Sequence, residues 1–370
     1  MRVTHLALED FRGYDRAEMD LAPGITTFVG PNGAGKTNIL EAIHVLARGD
    51  SPRAGDDAEM VRWGASLARL GAEIVREDGS PRVETVLFAP TEGERRRPRR
   101  YLVDGAPKRA DDALGRIVVV AFFPEDVELL SQAPSARRRY LDAMIAQVDR
   151  HHRGETREYQ RVLEQRNALL RAIRDEPGRS PAEMSFWDAE LCRLAAAISL
   201  RRMHAVREVR PAFRDAIERW SGGHTVDVAY ASPAEGENAA EREEAYRSLL
   251  AEKREKEAWQ ATTLVGPHRE DLAVRSGGRE LPEFASRGEQ RAVVLALKLA
   301  EAAWLTGRTG TAPVFLLDDV LSELDRDRQE RLIEAIPADA QALITSAVPA
   351  TLPAGTTTRR VEVERGRIHA

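Results

Sequence analysis

The sequence predicts an α/β fold interrupted by an inserted α-helical lobe, and three observations carry that expectation. A glycine-rich run, Gly30-Pro31-Asn32-Gly33-Ala34-Gly35-Lys36-Thr37, sits between a stretch of β-formers and a helical pattern. An apolar run ending in two carboxylates, Val314-Phe315-Leu316-Leu317-Asp318-Asp319, lies far downstream. Between them, from about Ser131 to Glu257, long amphipathic helical patterns replace the alternation of strand and helix. The chain therefore divides into 1–130, 131–257 and 258–370, with the first and last segments forming two halves of one α/β head.

The elements follow in order. Val3 to Leu8 is rich in β-formers, and Gly24 to Val29 is a short strand that runs into the glycine-rich loop. Thr37 to Leu46 carries apolar residues at helical spacing. Leu67–Val75 and Val83–Phe88 flank Glu77-Asp78-Gly79-Ser80-Pro81 and read as a hairpin within a β-meander, and Ile117 to Phe123 is a buried strand. In the middle segment, Tyr159, Val162, Leu163, Leu169, Leu170 and Ile173 make one apolar stripe. Trp187, Leu191, Leu194, Ile198, Phe213, Ile217 and Trp220 make a second. The breaker Asp175–Pro181 separates them, which predicts an antiparallel helical hairpin. The sign-alternating run Glu241–Glu257 reads as a solvated helix face. A helix over Gly288–Ala303, a strand over Val314–Leu317, a helix over Asp327–Ala335 and a strand over Ala342–Thr345 complete the head.

Composition narrows the function classes. With 370 residues, 42% hydrophobic and 31% charged, the chain suits a folded protein with a well-solvated surface. A net charge of −5 gives no global attraction for phosphates, so any nucleic-acid contact must come from a local patch. One cysteine, Cys192, excludes an internal disulfide and a cysteine zinc site, and its apolar neighbours place it in helix packing. The start MRVTHLALEDFRGY has no apolar signal region, and no long apolar run occurs, so no membrane and a cytoplasmic location are expected.

Gly30 to Thr37 matches G-x-x-x-x-G-K-[ST] in the strand–loop–helix context that gives the pattern its meaning. Backbone N–H groups of Gly30, Pro31-flanked Asn32, Gly33, Ala34 and Gly35 would turn inward toward phosphate oxygens, reinforced by the helix N-terminus. Lys36 would neutralise β/γ-phosphate charge and the Thr37 hydroxyl would ligate Mg²⁺, so ATP and Mg²⁺ are the expected cofactors. Asp318, at the tip of a buried strand, is the candidate partner for the metal. Asp319 is the candidate to orient or deprotonate the attacking water, and a helix N-cap pair is the plain alternative for both carboxylates.

A P-loop near the start and a carboxylate strand near the end, separated by a helical insertion, resemble the ABC-type ATPase heads of the SMC and Rad50 class. Ser286-Arg287-Gly288-Glu289-Gln290-Arg291 resembles the signature motif of that class, and Leu321-Ser322-Glu323-Leu324-Asp325 resembles its D-loop. Leu6 to Tyr14 is similar to the opening strand near the nucleotide, which implies roles for Arg12 and Asn38 there. Phe123-Pro124-Glu125-Asp126, Arg137-Arg138-Arg139-Tyr140-Leu141-Asp142 and Gly266-Pro267-His268-Arg269-Glu270-Asp271-Leu272 narrow the resemblance to the RecF family, over nearly the whole chain.

The resemblance implies an ATP-dependent homodimer with two composite sites. Each nucleotide would lie on Lys36 and Thr37 of one subunit and be covered in trans by Ser286 and Gly288 of the other. It further implies duplex or gapped DNA and mediators of the RecR and RecO type as partners, with recombinase loading as the outcome. Glu289 departs from the neutral polar residue more usual in the signature motif, and Asp319 is shorter than the glutamate of SMC and Rad50 heads, which implies slow turnover. Gln132 is a candidate Q-loop residue without context. The last strand leads to Thr345-Ser346-Ala347-Val348 with no histidine in the position that the resemblance assigns to the γ-phosphate sensor, which leaves that sensor open.

Two basic stretches are candidates for DNA. The first is Arg95, Arg96, Arg97, Arg99 and Arg100, with Lys108 and Arg109 behind; the second is Arg137, Arg138 and Arg139. Neither is interleaved with aromatics, which favours duplex over single strands, and the plain alternative for Arg137–Arg139 is pairing with carboxylates. Rival readings are an SMC- or Rad50-like structural clamp, a transporter's nucleotide-binding subunit and a small-molecule kinase. The short insertion speaks against the first, the basic clusters against the second, and the signature and D-loop segments against the third.

Overall fold

The computed structural model describes residues 1–77, 79–90, 97–175, 183–220, 225–281, 285–347 and 358–369, the side chain of Glu323 apart. Arg95, Arg96, Asp78, Val348 and residues 176–181 of the expected breaker lie outside the described residues. The chain forms two compact units, Met1–Glu128 with Arg291–Ala370, and Leu129–Gln290.

The first unit begins with strands β1 (Arg2–Phe11), β2 (Tyr14–Asp20) and β3 (Ile25–Val29), helix α1 (Lys36–Arg48), and strands β4 (Leu67–Val75), β5 (Arg82–Phe88), β6 (Arg100–Val103) and β7 (Ala106–Lys108). A short helix α2 (Ala110–Ala113) and β8 (Val119–Phe122) follow. The second unit holds α3 (Pro134–Ala146), α4 (Arg150–Asp175), α5 (Met184–Trp220), β9 (Val226–Ala231), α6 (Ala239–Gln260), β10 (Asp271–Ser276) and β11 (Arg279–Glu280). Helix α7 (Arg287–Thr309) crosses the division, after which come β12 (Val314–Asp318), α8 (Arg326–Ala335), β13 (Ala342–Ser346), β14 (Thr358–Glu364) and β15 (Arg367–His369).

Two six-stranded sheets build the first unit. The antiparallel one has the order β2-β1-β4-β5-β6-β7, and the expected hairpin is its β4–β5 pair. The other has the order β15-β14-β3-β13-β12-β8 and is parallel from β14 to β8. All residues of β8, β12 and β13 are buried, as expected of parallel strands covered on both faces. One apolar core, including Leu6, Phe11, Phe28, Ile39, Leu40, Leu70 and Leu316, joins α1 to both sheets. The part of α7 in this unit is held by Arg48 on Glu301 at 2.5 Å and by Lys298 on Asp126 at 3.0 Å.

In the second unit the two expected apolar stripes do face each other. Tyr159, Val162 and Leu163 of α4 meet Leu191, Leu194 and Ile198 of α5 in a core that also takes Cys192 and Tyr246. Burial pushes the Cys192 thiol up to about 12, so it stays protonated. Two expectations need correction. The segment 131–257, read as dominated by helices, also contains a strand, β9, which helical periodicity on either side conceals and which joins β10 and β11 from beyond that segment in the antiparallel sheet β11-β10-β9. The boundary expected near 257 lies at Gln290, because β10 pairs back onto β9.

Candidate nucleotide-binding site

The glycine-rich loop follows β3 directly and ends in α1, and its close contacts explain two of its glycines. A Cβ at Gly30 would lie 2.0 Å from the Val363 carbonyl oxygen of β14. At Gly35, φ is +109° and a Cβ would lie 2.9 Å from the Tyr14 hydroxyl, which itself donates to the Gly35 carbonyl at 3.1 Å. The loop is thus wedged between β14 and Tyr14, while Pro31, Asn32 and Gly33 stay exposed at its crest. Gly366, in the turn after β14, donates its N–H to the Ala34 carbonyl at 3.0 Å and braces the loop from the same side.

Lys36 folds back over this loop. Its Nζ donates to the carbonyls of Gly30 at 2.7 Å and Pro31 at 3.0 Å. Burial lowers its pKa, and the nearby carboxylates of Asp319 and Asp318 oppose that shift. A buried ammonium hydrogen-bonded to neutral carbonyls gains from an anionic acceptor, because two opposite charges then attract at close range.

The residue pair that completes the site is 281 positions apart. Thr37 Oγ1 donates to Asp318 Oδ1 at 2.9 Å, joining the start of α1 to the tip of β12. The same oxygen accepts a second bond, from Thr345 Oγ1 at 2.7 Å. Asp318 is 4% exposed, and burial raises its pKa against the lowering effect of the Thr345 and Thr37 hydroxyls. Thr345 in turn accepts from the backbone N–H of Asp319 at 2.9 Å. That bond secures Asp319 in a left-handed conformation, φ +51°. Asp319 Oδ1 is buried and has no hydrogen-bond partner among the described residues, which leaves acceptor capacity beside Asp318. Thr345, which carried no assignment from sequence, is the post that holds the Asp318 carboxylate and the Asp319 backbone. Its signal was only its place at the end of an apolar run.

Arg12 and Asn38 sit beside the loop, joined through a buried carboxylate. Glu41 on α1 is fully buried and accepts from Arg12 at 2.6 and 3.0 Å, from Arg53 at 2.5 Å and from Ser51 at 2.5 Å. Arg53 also donates to Asn38 Oδ1 at 2.9 Å, and Arg12 donates to the Glu59 carbonyl at 2.7 Å. Burial pushes the Glu41 pKa upward, but these hydrogen bonds and the two guanidinium charges outweigh it and hold Glu41 ionised. Arg53 and Glu41 are functional candidates that sequence reading missed.

In the D-loop segment, Ser322 Oγ donates to the Asp319 carbonyl at 2.8 Å, and Gln329 of α8 donates to the Leu321 and Leu324 carbonyls at 2.6 and 3.0 Å. Asp325 caps α8 through the Arg328 N–H. Ser286 stands at the start of α7, in the second unit, where it and Glu289 cap each other, and a Cβ on Gly288 would meet nothing within 4 Å.

The basic clusters separate by burial. Arg137 is 9% exposed, bonded to Asp271 at 2.5 and 3.0 Å and to the Leu130 carbonyl at 2.9 Å. Arg138 donates to the Glu270 carbonyl at 2.8 Å, and only Arg139 of that triplet is exposed. Arg99 is similarly tied to Asp57 at 2.8 Å. Both guanidiniums are already paired with carboxylates inside the protein, which argues against Arg99 and Arg137 as DNA contacts. Arg97, Arg100, Lys108 and Arg109 are exposed, with Tyr101 of β6 opposite Lys108 of β7 at the open edge of the antiparallel sheet.

The Gly266–Leu272 run is the polar centre of the second unit. Its Glu270 accepts from Tyr230, Tyr246 and Ser232, and Arg202 links Asp142 to the Pro267 carbonyl. These internal bonds give the pattern a role in holding the second unit together.

Known proteins share this sequence pattern and fold. The profile of the family described as "RecF/RecN/SMC N terminal domain" matches residues 2–369. The "DNA replication and repair protein RecF" of Roseiflexus castenholzii is 40% identical over 394 residues, covering 100% of both chains. Among solved structures, the "recombination mediator protein RecF-ATPrS in RecFOR pathway" superposes with a TM-score of 0.89 at 26% identity, covering 99% of this chain and 97% of that one. An SMC head bound to the C-winged helix domain of ScpA shares the fold alone, with a TM-score of 0.58 at 14% identity and coverage of 100% and 96%. By full-length sequence and by fold, the chain belongs to the RecF family of DNA replication and repair proteins within the RecF/RecN/SMC group.

Proposed function

We propose that this protein is a slowly hydrolysing ATPase of DNA repair, which dimerises with ATP on duplex or gapped DNA and releases on hydrolysis. The carrying observation is the Thr37–Asp318–Thr345 link, which brings a P-loop threonine and a strand-tip carboxylate to one point from opposite ends of the chain. The residues fit a nucleotide and its metal. A glycine loop faces solvent at its crest, a buried lysine donates to two loop carbonyls, and one carboxylate oxygen is buried without a partner among the described residues.

In this reading Gly30 to Thr37 hold the phosphates, with Asn38 and Arg12 beside them. Lys36 exchanges the Gly30 and Pro31 carbonyls for phosphate oxygens. Thr37 and Asp318 would hold Mg²⁺, which would supply charge neutralisation when bound. Asp319 orients the attacking water and takes its proton, with its backbone fixed by Thr345. The start of α7, Ser286 to Gly288, covers the nucleotide of a second copy, so that the composite site forms only in the dimer. The RecR- and RecO-type mediators and recombinase loading come to this chain from the family alone.

A long-armed clamp is disfavoured because α4 and α5 close on a core of their own with α6, and no coiled-coil arm emerges among the described residues. The test is ATP hydrolysis per subunit against protein concentration, with and without duplex DNA. Specific activity should rise with concentration and rise again with DNA. A rate independent of both would mean that each subunit is catalytically complete, and the dimer switch would be abandoned.

A further inference from the structure

The contacts of Ser286 bear directly on how readily the composite site can close. Its backbone N–H donates to Glu289 Oε2 at 2.8 Å, and its hydroxyl donates to the same oxygen at 2.7 Å. The Glu289 N–H returns a bond to Ser286 Oγ at 3.3 Å. The arrangement is a capping box, an ordinary way to satisfy the first N–H groups of a helix. Here it falls on the one hydroxyl that the composite-site reading assigns to a partner's nucleotide.

We infer that the Glu289 carboxylate is an internal competitor for nucleotide phosphate at the start of α7, so that ATP-dependent dimerisation must first displace it. The inference rests on the composite-site reading above. Two physical facts carry it. A serine hydroxyl has a single proton to donate, and Ser286 already spends it on Glu289, so donation to phosphate requires the existing bond to break. A carboxylate and a phosphate directed at the same N-terminal end also repel, while each is attracted by the same positive helix end. Glutamine completes a capping box as well as glutamate does, so the negative charge is not needed for the cap itself. Its effect is to set a threshold for closure, counted twice in a two-fold dimer.

The test compares parent, Glu289→Gln and Glu289→Ala proteins, each carrying Asp319→Asn to slow hydrolysis. Sedimentation with ATP and Mg²⁺ gives the dimer dissociation constant, calorimetry gives ATP binding to the monomer, and thermal unfolding reports on the cap. Glu289→Gln should tighten the ATP-dependent dimer by about tenfold or more, the gain expected from removing one close like charge per site. Its melting temperature and monomer ATP affinity should stay as in the parent. A Glu289→Gln dimer no tighter than the parent's, at equal thermal stability, would overturn the inference. So would loosening by both substitutions in proportion to lost stability, since that is the behaviour of a cap alone. If all three proteins bind ATP and none dimerises at any concentration, the composite-site reading itself fails and this inference falls with it.

Discussion

Replacing Thr345 by valine tests the assignment of the strand-tip carboxylates most directly. Valine is nearly isosteric and suits a β-strand, so the perturbation is confined to the hydroxyl. Thr345 is 1% exposed, donates to Asp318 at 2.7 Å and accepts from the Asp319 N–H at 2.9 Å. A buried N–H left without a partner costs about 1–3 kcal/mol, and a hydrogen bond to a charged group contributes about 1.5–3 kcal/mol. The Thr37 bond to Asp318 survives and limits the second loss, so the net destabilisation should be about 2–4 kcal/mol. Catalysis should suffer separately. Asp319 loses the bond that secures its left-handed backbone, and a misplaced base lowers kcat by roughly 10²-fold, with a smaller effect on ATP affinity. Urea unfolding measures the first effect, and steady-state hydrolysis with nucleotide titration measures the second. Unchanged stability with kcat within twofold of the parent would refute the role given to Thr345.

Asp319→Asn should reduce turnover by about 10²-fold or more while ATP binding and ATP-dependent dimerisation persist, as read by hydrolysis and sedimentation together. Charge reversal at Arg100 and Lys108 should weaken duplex binding and flatten the dependence of log K on log salt by about 0.9 for every phosphate no longer neutralised, measured by fluorescence anisotropy at several salt concentrations. By contrast, Arg137→Met should lower stability by about 3–5 kcal/mol in urea unfolding, because it strands Asp271, and should leave the salt slope unchanged. His268 should make the second unit acid-sensitive. Burial, with Arg269, Arg138 and Arg166 nearby and a bond to the Thr263 carbonyl in opposition, lowers its pKa from 6.5 to about 4. The unfolded chain therefore takes up the proton first as pH falls. The stabilisation is full above pH 6.5 and is lost between there and about pH 4. It amounts to at most about 3 kcal/mol. Urea unfolding across that range should show the slope, and His268→Asn should flatten it.

The chemistry of the P-loop was legible in the sequence because it is local. A glycine loop, a lysine and a threonine must be consecutive to wrap phosphate with backbone N–H groups, so Gly30 to Thr37 declare themselves without a fold. The Asp318-Asp319 strand tip was legible for a related reason, since a fully apolar run ending in carboxylates has few other places to be than the end of a buried parallel strand. The apolar stripes of α4 and α5 declared a helical pair by periodicity alone. What only tertiary structure decided was which polar groups meet. Arg137 and Arg139 are two residues apart on one helix, yet one is buried on Asp271 and the other faces solvent, and only the register of α3 distinguishes them. Thr345 became the post for the Asp318 carboxylate and the Asp319 backbone because β13 pairs with β12 in a register that sets Thr345 opposite Asp318. Glu41 binds Arg12 and Arg53 because the chain before and after α1 returns to that helix. Sheet β9–β11 forms across the whole of α6. Local pattern specifies an element and the face it buries. Burial of a charge is decided by a partner distant in the chain, because only that partner repays the cost of taking the charge out of water.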